Sequence, residues 1–186
     1  MRSSTIDFIV TPKSKSDLNL SKIHSVRELL KIYNLDHKIV YDQHVFTNEH
    51  FEIYISSKGT IMCSLVVGPE NTRQGISALN DISNKIVSII SENIYDIYRE
   101  VFILDHHSLL LEKFLSDRND FDEITSVSFE TECGAKIAIN RGRGRNVLSF
   151  LNFKHVEDII SAYSSIIQGI KIEGLTRYEA KYCEKN

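Results

Sequence analysis

The residues best equipped for chemistry are packed into Asn140-Arg141-Gly142-Arg143-Gly144-Arg145-Asn146, between two stretches whose alternation reads as strand. Three guanidinium forks meet at one loop, and each can grip phosphate or carboxylate oxygens in pairs. The glycines let the backbone approach a ligand closely. Arg141, Gly142, Arg143, Gly144 and Arg145 are therefore the candidate ligand- or partner-binding residues, suited to an acidic protein surface, a nucleotide or a nucleic-acid backbone. A hairpin end needs one glycine and seldom repeats Arg-Gly. A purely structural loop would instead pair these arginines with acids such as Glu130 and Glu132.

A second concentration is Asp36-His37 with Asp42, His44, Glu49 and His50, six groups that can bind a divalent metal or move protons. Their spacing opposes a metal centre. Read along one strand, His37 and His44 have opposite parity, and no helical H-x-x-x-H or Glu-x-x-His pair occurs. The polar face and turns of a half-exposed sheet would give the same letters, so no metal and no cofactor is expected.

The run Val101-Phe102-Ile103-Leu104-Asp105-His106-His107 ends in Asp-His-His. It resembles the motif that names the DHH phosphoesterases, and the resemblance implies a metal-dependent phosphodiesterase in which Asp105, His106 and His107 help hold manganese. The likeness covers this short run alone. The aspartate-rich metal motif that the family carries after an earlier strand has no counterpart before Val101. Histidines near a helix C-terminus also gain from its dipole, which explains the pair without catalysis. The Arg-Gly-Arg core of the basic loop is similar to that of minor-groove hooks, without their flanking prolines. No Walker loop, G-x-S-x-G or Rossmann glycine fingerprint occurs.

The elements that would position these groups follow from periodicity. Ile76, Leu79, Ile82, Ile86, Ile90, Ile94, Ile97 and Val101 recur at helical steps, predicting one long helix from Ile76 to Val101 with a polar outer face. It should lie across a core as a lid, with Gly75 as the weak point at its start. Ser25-Val26-Arg27-Glu28 has the pattern of a capping box and predicts a helix running to about Tyr33. Thr5 to Val10 reads as a short strand. Three strands are expected over Lys38–Phe46, Phe51–Ser56 and Ile61–Val67, with Gly59 turning one joint and Thr47-Asn48-Glu49 the other. Leu109 to Leu115 is helical in pattern. Three more strands are expected over Val127–Cys133, about Ile137–Ile139, and Val147–Phe153, then a helix from Val156 to Ile170. The tail from Gly174 to Tyr182 fits either helix or extended chain.

Runs of strands between helices predict an α+β fold, with antiparallel meander sheet packed by amphipathic helices. Residues 1–186 are read as a single domain, pseudo-duplicated as 20–103 and 104–174 in two similar helix-three-strand-helix halves, or else as one mixed sheet grown from ordinary meanders.

Composition bounds the function. With 42% hydrophobic and 25% charged residues the chain is ordinarily globular, and a net charge of −3 gives no overall pull toward nucleic acid or anionic membrane. Its three cysteines, Cys63, Cys133 and Cys183, are scattered, as in a reducing compartment. No signal-peptide core or membrane-length apolar run is present, so a cytoplasmic protein without a membrane partner is expected.

These observations point to a non-enzymatic macromolecular binding protein that docks through a sheet face and the Arg-Gly hairpin tip. A protein partner is favoured by the negative charge, and self-association through exposed strand edges is expected. The alternatives are nucleic-acid or nucleotide binding through Arg141, Arg143 and Arg145, and a metal-dependent phosphodiesterase using Asp105, His106 and His107.

Overall fold

The computed structural model describes residues 3–12, 20–90, 97–105, 124–131, 134–142, 145–168 and 175–182. The chain begins with β1 (Ser4–Pro12), in which Ile6, Phe8 and Val10 alternate inward and are fully buried. Helix α1 (Ile23–Leu30) follows, extended by 3₁₀ turns at Leu20–Lys22 and Lys31–Tyr33. Its N-cap is Lys22 and no side chain caps it, so the Ser25–Glu28 pattern lies inside the helix and forms no capping box. Asn34, at φ 50°, ends the second 3₁₀ turn.

Four strands come next where three were expected: β2 (Asp36–Val40), β3 (Gln43–Thr47), β4 (Phe51–Ile55) and β5 (Ile61–Val67). The stretch read as one strand from Lys38 to Phe46 is a hairpin. Tyr41 and Asp42 adopt φ 47° and 62°, and two successive positive φ values make the tight turn whose twist suits paired strands. The remaining joints are as predicted. Gly59, at φ 94°, turns β4 into β5. Asn48 Oδ1 accepts the His50 and Phe51 amides, each at 2.9 Å, in the turn between β3 and β4.

Helix α2 (Thr72–Ile90) buries Ile76, Leu79, Ile82, Ile86 and Ile90 over β1 and β5. At ~1.5–3 kcal/mol per large apolar side chain, this stripe is a major contribution to the core. The helix is shorter than predicted: Ile97 and Val101 belong to β6 (Ile97–Asp105). Gly75 lies close against the sheet: a Cβ there would stand 2.6 Å from Ile6 Cδ1.

The second half supplies β7 (Ile124–Thr131), β8 (Lys136–Gly142), β9 (Arg145–Phe153), α3 (Val156–Gln168) and β10 (Leu175–Tyr182). The undecided tail is therefore a strand, antiparallel to β7. The helix predicted over Leu109–Leu115 lies outside the described residues. The ten strands of the described residues join one sheet in the order β10-β7-β8-β9-β6-β1-β5-β4-β3-β2, and every pairing is antiparallel. The fold is α+β, an antiparallel meander sheet packed by amphipathic helices. β1 and β6 sit side by side at its middle with a meander on either hand.

Helices α1, α2 and α3 share one core on one side of the sheet. A bulge keeps β9 in that core. Between Arg99↔Phe153 and Val101↔Phe150, β9 has one residue more than β6, and Asn152 turns through φ 62°. Phe150 and Phe153 consequently both point inward and meet edge to face at 6.0 Å.

Candidate binding surface

Because each central strand spends alternate residues on the helical core, the others form the opposite face. On β1 and β6 these are Thr5, Asp7, Ile9, Thr11, Tyr98, Glu100, Phe102 and Leu104; their described side chains are part-exposed. The register continues the face outward. Phe102 stands opposite Ser149, which stands opposite Ala138, and on the other side Asp7 stands opposite Ser64 and Ser64 opposite Glu52. Among the described residues no helix packs on this surface.

Its chemistry is apolar with acidic groups. Ile9, Met62, Phe102, Leu104 and Val147 lie near the middle, and Asp7, Asp36, Glu52, Glu100 and Glu130 outnumber Lys38 and Lys136 among the described charged side chains of strands β1 to β9 on this face. Hydroxyls hold two of the acids. Ser64 Oγ donates to Asp7 at 2.6 Å, while Tyr54 and Thr47 donate to the two oxygens of Glu52 at 2.8 and 3.2 Å. The bond to Glu52, followed by burial, raises the Tyr54 phenol above its ordinary pKa. A phosphate backbone laid on this face would meet fixed negative charge, whereas a basic or apolar protein surface would meet a complement.

The Arg-Gly segment closes a hairpin, as predicted. Arg141 pairs with Asn146 and Gly142 with Arg145 across β8 and β9. Arg143 and Gly144, between these pairs in sequence, lie outside the described residues, as do the side chains of Arg141 and Arg145. The structure adds a neighbour that the sequence did not show: Asp105, the last residue of β6, is in register with the same Asn146. Asp105, Asn146 and Arg141 thus form one cross-strand row at one end of the sheet. Asp105 ends a strand rather than a helix, so the helix-dipole explanation of its histidines does not apply; His106 and His107 lie outside the described residues.

The acid and histidine cluster separates into pieces. His37 and His44 stand on adjacent strands of the β2–β3 hairpin, so their presumed opposite parity was an error of reading one strand for two. Their rings stack 5.4 Å apart and 8° from parallel, with His37 Nε2 and His44 Nδ1 3.1 Å apart. His37 also stacks on Phe46 at 4.5 Å. Partial burial, then the neighbouring His44 and Arg27, lower the His37 pKa. No group of three or more metal-binding side chains occurs among the described residues. Glu49 and His50 instead rim a pocket of about 480 Å³, floored by Phe51, Leu65, Leu79 and Ile82. The sequence offered no signal for this pocket, which arises where the β3–β4 turn passes over α2.

No helix of the described residues is long and apolar enough to cross a membrane. No protein-family model matches the chain, and no curated protein matches it in sequence. Among solved structures the chain is similar to the Methanococcus jannaschii TBP, with 13% identity, coverage of 90% of this chain and 95% of that chain, and a TM-score of 0.31. At that TM-score the likeness carries no argument about function.

Proposed function

We propose that the protein is a non-enzymatic interaction module that binds another protein on the face of its sheet that no described helix covers, with the Arg-Gly hairpin at one end of that face. The observation carrying this reading is the one-sided packing: all three described helices lie on one side, and the other presents half-buried Ile9, Met62, Phe102, Leu104 and Val147 among hydroxyl and acidic side chains. Surfaces of this kind on soluble domains mark sites of macromolecular contact. The excess of acids favours a partner whose contact surface is basic or apolar. The symmetric placement of two meanders about β1 and β6 supports reading the chain as a duplicated unit presenting one continuous face.

The test is affinity capture with the full chain from nuclease-treated extract, alongside Phe102→Ser and Glu52→Lys chains that keep the wild-type circular dichroism. A partner retained by the wild type and lost from both variants is expected. A partner that ignores both substitutions would overturn the reading. Nucleic acid retained in a parallel capture from untreated extract, and released by Arg141→Ala with Arg145→Ala, would replace it with the nucleic-acid alternative, in which affinity falls steeply with salt.

A further inference from the structure

The end strand β2 carries a second, separate surface. It is an edge of the ten-stranded sheet, paired only through β3 among the described residues. The two-residue turn at Tyr41 and Asp42 makes Val40 and Gln43 a hydrogen-bonded pair, so Val40, Lys38 and Asp36 direct their backbone groups toward β3. Ile39 and His37 direct theirs to the free edge. Exposed large hydrophobics cluster here: Ile39 (65%) and Val40 (37%) on the strand itself, Tyr41 (96%) in the turn that follows it and Ile32 (76%) in the 3₁₀ turn before it. An edge strand with exposed apolar residues is a template for another strand.

The charges on the edge select the occupant. Asp36 and Lys38 would oppose most strands, but they match a second copy of themselves. If two β2 strands pair antiparallel about a twofold axis at His37, then Asp36 faces the other copy's Lys38, twice by symmetry. Leu35 faces Ile39, again twice. In this register His37 forms the central hydrogen-bonded pair, because its backbone groups point outward. Asp36 and Lys38 then fall at non-hydrogen-bonded positions, where side chains approach most closely. Centring the pair on Lys38 instead would set the two lysines against each other.

We infer that β2 is a self-complementary edge through which two copies of this chain join their sheets, in the register that pairs Asp36 with Lys38. The inference does not depend on the sheet-face reading, because it uses the rim of the sheet and a different occupant. The wild type should sediment at twice the 21.3 kDa of one chain at high concentration and dissociate on dilution. Asp36→Lys and Lys38→Asp should each weaken self-association about tenfold or more, since both symmetric pairs turn repulsive. An equimolar mixture of these two single variants should recover dimer, because one strand then presents lysines at both positions and the other aspartates. Ile39→Pro removes an amide from the free edge while leaving the bonds to β3 in place, and should give a monomer with unchanged secondary structure. A monomeric wild type would overturn the inference. So would a dimer indifferent to the single substitutions, or a mixture that fails to associate.

Discussion

Arg99 of β6 donates from Nε to Oδ1 of Asn80 in α2 at 2.9 Å, tying the centre of the sheet to the helix that covers it. The same guanidinium donates from Nη2 to Asn84 Oδ1 at 3.2 Å and from Nη1 to the Lys154 carbonyl just before α3. One side chain thus joins β6, α2 and the start of α3. Burial lowers its pKa, with Glu157 acting the other way.

Replacing Arg99 by alanine strands the largely buried Asn80 amide and removes three bonds from a charged donor. The expected loss is about 1.5–3 kcal/mol, read from urea unfolding. A loss within a few tenths of a kcal/mol would show that water satisfies these groups equally well.

Gly75 should resist enlargement. Fully buried Ile6 stands 2.6 Å from where a Cβ would sit, with Val67 Cγ1 at 3.4 Å, so a branched side chain must push α2 off the sheet. Gly75→Val is expected to cost ~1–3 kcal/mol despite the poor helix propensity of glycine. Unchanged thermal unfolding would disprove the close approach.

Acid should weaken the β2–β3 hairpin. The folded His37 pKa lies below that of the unfolded chain, so on acidification through the ordinary histidine range the unfolded state takes up more proton, and stability falls. The contribution is fully present above the unfolded pKa. His37→Phe keeps a ring stacked on Phe46 and removes the proton site, so unfolding measured from neutral to mildly acidic pH should slope less for the variant. Identical slopes would show that His37 is not linked to folding.

Cys63 should be inert in the folded chain. Burial pushes its thiol up to about 12, against a smaller opposite effect of the contact with Ser83 at 3.5 Å. At mildly alkaline pH, Ellman's reagent should count the same native thiols in wild type and Cys63→Ser, and one more in wild type after denaturation. A native difference of one thiol would show that the core admits the reagent.

Legible in the residues alone were the α+β class, the strands β1, β4 and β5, the isoleucine stripe of α2 and the placing of the Arg-Gly segment between two strands, because each rests on a local period or a local turn. The sequence could not locate the end of α2. Ile97 and Val101 stand four residues apart, a spacing that returns to the same side in both a helix and a strand. It also hid the turn at Tyr41 and Asp42, since neither is glycine and their positive φ is imposed by pairing of the flanking strands. Only the tertiary structure stacked His37 on His44, aligned Asp105 and Arg141 with Asn146, and left one sheet face and the β2 edge without a described helix. Those relations come from register between segments far apart in the chain, where backbone hydrogen bonding and burial of one face choose the alignment and no local pattern records it.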